Sequence, residues 1–171
     1  RSSFKSLHEL NQPEVRLAGL RVNPVSNISS TITYYNDIRY KRINDTEIRQ
    51  VKGLPSEARI TYASFSPNET MIAFVNTTDK GVELWMIDLA TLQARRLTEA
   101  VLNANAGFPY SWLPDGSGLL ARVVPSSRTS LIDADKSVPE GPVVSVSDGQ
   151  VSQNRTYQDL LQNSIDENNF E

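Results

Sequence analysis

Two stretches of this chain repeat each other, and their spacing constrains the fold more than any other feature. Ser64-Phe65-Ser66-Pro67-Asn68-Glu69-Thr70-Met71-Ile72-Ala73 is echoed by Ser111-Trp112-Leu113-Pro114-Asp115-Gly116-Ser117-Gly118-Leu119-Leu120-Ala121, with the prolines 47 positions apart (114 − 67). Each proline follows a short apolar run and opens a type I turn whose next residue is Asn or Asp. What repeats is therefore a mechanism of chain reversal as well as a set of letters. A period of roughly 40 to 50 residues is that of the four-stranded blades of a β-propeller.

The first copy sits in a longer stretch, from Tyr62 to Thr98, that reads as one complete blade. Four apolar runs, ending with Gly81-Val82-Glu83-Leu84-Trp85-Met86-Ile87-Asp88-Leu89 and Arg95-Arg96-Leu97-Thr98, are separated by turn chemistry at Pro67-Asn68, Asp79-Lys80-Gly81 and Asp88 to Thr91. Trp85 is expected to fill space between neighbouring blades, where a large ring buries most of its apolar area. Upstream, Thr31 to Tyr35, Ile38 to Ile43 and Glu47 to Val51 alternate apolar with polar residues and predict a meander. The resulting map is a lead-in over 1–20, blades over about 21–54, 58–98 and 107–124, and an excursion over 125–155 rich in Pro, Ser, Asp and Gly. A short helix is predicted over 156–164, because Thr156-Tyr157-Gln158-Asp159 has the spacing of a capping box.

The fold class that follows is all-β: a partial β-propeller of about two to three four-stranded antiparallel blades, with a long loop excursion and one short helix. A closed ring needs more blades than 171 residues supply, and the chain opens on Arg1 rather than Met, so it reads as part of a longer polypeptide. A net charge of −3 without a basic, aromatic-laced cluster argues against a nucleic-acid partner. Apolar runs of a few residues fall far short of the roughly 18 that span a bilayer, so no membrane partner is expected. Without cysteine there is neither a disulfide nor a thiolate metal site, and the compartment stays open.

Candidate chemistry is sparse. The only histidine, His8, lies in the lead-in, and no Gly-x-Ser-x-Gly elbow supplies a nucleophile for it. Ser117 in Gly116-Ser117-Gly118 has Asp115 where an elbow needs glycine, and reads as a turn serine. Asp133-Ala134-Asp135 has Val138 and Val144 where a calcium loop needs glycine and glutamate, so no metal and no cofactor is expected. Asp79, Asp88 and Asp115 each sit where turn chemistry accounts for them, which leaves a propeller glycosidase without its paired carboxylates. Asn-x-Ser/Thr sites at Asn27, Asn44, Asn68, Asn76 and Asn154 are of the kind that turn-rich sequences contain by chance. Arg128 is the one candidate binding residue: it lies at the start of the excursion, and a planar guanidinium on a loop can clamp a carboxylate.

Several segments together resemble a known family. Leu17-Ala18-Gly19-Leu20-Arg21, the Phe65-Ser66-Pro67-Asn68 blade, Val124-Pro125-Ser126-Ser127-Arg128, Pro139-Glu140-Gly141-Pro142 and Arg155-Thr156-Tyr157-Gln158-Asp159-Leu160-Leu161 are similar, in this order, to the N-terminal propeller of glutamyl endopeptidases, serine peptidases of the prolyl oligopeptidase family known from plastids and bacteria. The resemblance implies a non-catalytic propeller whose partners are its own downstream blades, an α/β-hydrolase domain carrying the catalytic triad, and peptide substrates. It implies plastid location in a plant and periplasmic or secreted location in a bacterium. No triad position falls within these residues, and Arg128 becomes a residue expected to face the hydrolase domain. The rival reading is a TolB-like propeller that binds another protein.

Overall fold

The computed structural model describes residues 2–3, 7–128 and 149. Thirteen strands and one short helix account for their regular structure: β1 (Ser2–Ser3), α1 (Leu7–Leu10), β2 (Val15–Leu17), β3 (Leu20–Asn23), β4 (Ile28–Ser29), β5 (Tyr34–Tyr35), β6 (Arg39–Tyr40), β7 (Arg49–Gln50), β8 (Ile60–Phe65), β9 (Met71–Thr78), β10 (Gly81–Asp88), β11 (Gln93–Arg96), β12 (Tyr110–Trp112) and β13 (Leu119–Ala121). Every paired strand is antiparallel to its neighbour, and the fold is all-β, a partial propeller without a closed barrel. The helix expected over 156–164 and most of the excursion lie outside the described residues.

Within residues 60–96 four consecutive strands lie side by side in one sheet. β8, β9, β10 and β11 follow one another as a meander, and β9 and β10 pair over eight residues from Gly81↔Thr78 to Asp88↔Met71. β9 is central and buried along nearly its whole length. Because successive side chains of a strand point to opposite faces, its apolar run serves two cores. Ala73 and Val75 join Val82 and Leu84 against Ile28, Leu102, Ala104 and Tyr110 on one face. Ile72 and Phe74 join Ile87, Ile60, Val51 and Ala94 on the other. A blade with apolar neighbours on both faces is what a ring of blades requires.

The repeat holds at the level of individual hydrogen bonds. In the β8–β9 turn the Ser66 amide donates to Met71 O and the Glu69 amide to Ser66 O, both at 2.9 Å; in the β12–β13 turn the Leu113 amide donates to Gly118 O and the Gly116 amide to Leu113 O, both at 2.9 Å. Glu69 (φ 54°) and Gly116 (φ 72°) occupy the same left-handed seat. Asn68 Oδ1 accepts from the Thr70 amide and hydroxyl, and Asp115 Oδ1 accepts from those of Ser117. A Cβ built on Gly116 would stand 3.2 Å from the Asn68 side chain, so the two turns abut at one end of the blades.

Two expectations for the N-terminal part are corrected. The stretch expected to be only a lead-in carries a strand: Val15–Leu17 pairs with Leu20–Asn23 through a two-residue turn, Ala18-Gly19, in which both residues have positive φ. The meander expected over 31–51 does not form as one sheet. Tyr34–Tyr35 joins β1 and β8 in the six-stranded sheet, while β6 and β7 pair only with each other. The reason is burial: Ile43 is 100% exposed and Ile48 61%, so the apolar side of this hairpin has no face to pack on and only its root is held.

Candidate functional site

β9 and β13 both run away from the end where the paired turns abut, and Arg128 lies toward the opposite end. There the chain from Val101 to Ala104 threads between three elements. The Leu102 amide donates to Val82 O, the Ala104 amide to Asn27 O, and the Val124 amide to Val101 O. These bonds bring β10, the turn before β4 and the exit from β13 to one place.

Arg128 lies at this place. Its amide closes a turn onto Pro125 O at 3.0 Å, and its Nη1 donates to Asn27 Oδ1 at 2.7 Å. The side chain is half-buried, and burial pulls its pKa below the ordinary arginine value. Asn27 is itself fixed. Its φ of 55° is a conformation that Asn tolerates better than most residues. Its amide donates to Asn23 O at 2.9 Å, and Asn23 Oδ1 accepts from the amides of Val25 and Ser26. From sequence Asn27 was legible only as a chance glycosylation site; its pairing with a residue 101 positions on carries no local signal.

Beside this junction, a cleft of about 330 Å³ opens between β2–β4 and the ends of β8 and β9, lined among others by Gln12, Asn23, Ser26, Arg59, Thr77 and Asp79. Its charges are mostly spent. Arg59 bonds Asp79, and Glu14 is held below the ordinary carboxylate range chiefly by the Ser30 hydroxyl, with help from Arg16 and Arg21. Thr77 buries its hydroxyl without a hydrogen-bond partner among the described residues.

The remaining candidates take structural roles. Ser117 Oγ donates to Asp115 Oδ1 at 2.7 Å inside the hairpin turn. Asp88 caps the β10–β11 turn by accepting from the amides of Ala90 and Thr91, at the other end of β10 from Asp79. Asp88 and Asp115 are both held below the usual carboxylate range, each mainly by a backbone amide. Asn76 is buried, accepting from the Arg59 amide and donating to Glu83, so a glycan there is incompatible with the fold. His8 falls in α1, Asp133 and Asp135 lie outside the described residues, and no cluster of three metal-ligating side chains occurs among the described ones. No described helix is long and apolar enough to cross a membrane.

Glu83 went unnoticed in the sequence. It is buried in β10, yet Oε2 accepts from Trp85 Nε1 at 2.7 Å and from Asn76 Nδ2, and Oε1 from Arg96 Nη1 at 3.1 Å. Trp85 stacks on Phe74 with ring centroids 6.1 Å apart. A buried carboxylate with this many donors is a fastening between strands, one whose loss of a partner would be costly.

These features define a class: an all-β scaffold of propeller-like blades. No family model matches the chain. Over its whole length it is 31% identical to the probable chloroplastic glutamyl endopeptidase of Oryza sativa subsp. japonica and 29% identical to that of Arabidopsis thaliana. The resemblance to glutamyl endopeptidases thus extends along all of the chain, which spans 19% of the length of either relative.

Proposed function

We propose that the chain is the non-catalytic propeller portion of a serine peptidase of the prolyl oligopeptidase type, one that cleaves after glutamate and whose α/β-hydrolase domain lies outside these residues. One observation carries this reading: the whole chain aligns with about a fifth of two proteins named glutamyl endopeptidase, while folding as blades rather than as a catalytic domain. The role is steric. Blades set over an active site admit peptides and unfolded segments and turn away folded proteins, which is specificity by exclusion. The partners are further blades, the hydrolase domain and peptides, and the place of work follows the relatives into the plastid if the source is a plant, or lies outside the cytoplasm if it is bacterial.

The test compares the 171-residue chain with the longer polypeptide that contains it, on a glutamyl peptide and on a folded protein displaying the same bond. The expected result is no cleavage by the chain alone, and cleavage of the peptide but not of the folded protein by the longer polypeptide. Hydrolysis by the chain itself, lost on Ser117→Ala, would overturn the reading. So would equal digestion of both substrates.

A further inference from the structure

We propose that Arg128 receives the carboxylate of an acidic side chain and that Asn27 positions it for this; the identity of that side chain as a substrate glutamate rests on the peptidase reading above.

The inference starts from how the other arginines are employed. Arg16, Arg21, Arg39, Arg49, Arg59 and Arg96 each hold a carboxylate. Arg42 and Arg95 are exposed, where water solvates the charge, and Arg122, also exposed, donates to the carbonyls of Ala106 and Phe108. Arg128 differs from both groups. It is half-buried, and among the described residues its guanidinium meets one neutral amide oxygen and no carboxylate. Partial desolvation of a cation without a counter-charge disfavours the folded state, and a ligand that brings the missing charge recovers that loss. The lowered arginine pKa reflects the same desolvation.

The geometry suits a receptor more than a strut. One N–H is fixed on Asn27 Oδ1 at 2.7 Å, which orients the plane of the fork, and its other N–H groups have no acceptor among the described residues. Asn27 cannot readily follow a moving arginine, because its amide is tied to Asn23 O and its carbonyl to the Ala104 amide, each at 2.9 Å. A planar fork held from behind by a rigid amide is pre-organised for a carboxylate in front, so less side-chain freedom is lost on binding. Asn27 follows directly on Ser26, which lines the cleft.

Two measurements decide it. In the 171-residue chain, the Arg128 Nε–Hε resonance is followed while N-acetyl-glutamate N-methylamide or its glutamine counterpart is added. A saturable shift with the acid alone, absent in Arg128→Gln, is expected; an equal response to both ligands, or none, overturns the proposal. In the longer polypeptide, Arg128→Gln should lower kcat/KM for a glutamyl peptide about tenfold, the scale of one charge-assisted bond at a half-exposed site, with little change for the glutaminyl peptide. Asn27→Ala should lower the same ratio by less, and Arg128→Lys should retain part of it and control for folding. If the wild type cleaves glutamyl peptides and Arg128→Gln leaves the ratio unchanged, the assignment of Arg128 falls and the peptidase reading stands. If the wild type cleaves neither peptide, the peptidase reading falls and the resonance titration alone decides Arg128.

Discussion

The β8–β9 hairpin and the β12–β13 hairpin share a turn, a register and a sequence rhythm, yet one is core and the other is largely surface. Trp112↔Leu119 and Ser111↔Leu120 repeat the pairs Phe65↔Ile72 and Ser64↔Ala73. The matched residues differ in fate. Ala73 is fully buried and its counterpart Leu120 is 68% exposed; Phe74 is fully buried and Ala121 is exposed. β9 has β10 along its other edge, whereas β13 has no such strand among the described residues. Local sequence therefore sets the turn and the pairing, while burial and strand length depend on what covers the hairpin. That is why β9 runs eight residues and β13 three.

The largest effect to follow from this contrast is in the core. Phe74→Ala removes a fully buried ring stacked on Trp85, and should cost about 3–5 kcal/mol in a denaturant titration. Leu120→Ala, one β-pair position away in the repeat, should stay within about 0.5 kcal/mol. Comparable losses would mean that β13 is covered as β9 is. The contrast between the two hairpins would then be wrong.

A second, smaller effect concerns the joint between them. β8 carries a bulge between Thr61 and Ser64, with Tyr62 at φ 49°, and the extra residue frees the Tyr62 carbonyl from the ladder. Tyr110 of β12 reaches into that gap: its hydroxyl lies within hydrogen-bonding distance of Tyr62 O and of Ala73 O, the latter at 2.8 Å. Ser64 Oγ sits 2.9 Å from the Tyr110 hydroxyl and accepts from Trp112 Nε1 at 3.1 Å. Burial pushes the Tyr110 pKa up to about 12 from 10.0. A folded pKa above the unfolded one means that the contribution is intact below pH 10 and is lost as pH rises through about 12. Stability should fall across that window by at most about 1.4 kcal/mol per pH unit. Tyr110→Phe should cost about 1–2 kcal/mol at pH 7 and abolish this alkaline step. An unchanged alkaline profile in the variant would remove Tyr110 as the joint.

What could be read in advance divides along the same line. The turns at Pro67 and Pro114, the four strands of the second blade and its apolar residues were legible because proline, Asx chemistry and apolar runs act within a few residues. Arg128 was legible as a loop arginine at the start of the excursion. Its partner was not, since Asn27 meets it only through tertiary packing. The strand at Val15–Leu17 was hidden by its shortness and by an Ala-Gly turn that lacks the usual Asn or Asp. The 31–51 region misled for the opposite reason: its alternation was correct for strands, but Ile43 and Ile48 found no face to cover them. Glu83 shows that a charged residue inside an apolar strand is not a mistake in the pattern when Trp85, Asn76 and Arg96 satisfy it.

The finest distinction between the two hairpins is the residue in the left-handed seat. Glu69 and Gly116 hold it with φ of 54° and 72°, and only the glycine does so without a Cβ against the carbonyl. Gly116→Ala should therefore cost about 1 kcal/mol from the backbone conformation, and more if Asn68 cannot yield to a Cβ built 3.2 Å away. Glu69→Gly relieves the same strain on the other side, but it also widens the unfolded ensemble, so the two terms partly cancel and the net gain should be no more than about 0.5 kcal/mol. Thermal melts of the two single variants measure both signs. A loss on Glu69→Gly as large as that on Gly116→Ala would show that the Glu69 side chain, and not the shared turn, holds the first hairpin. The repeat would then be one of sequence more than of mechanism.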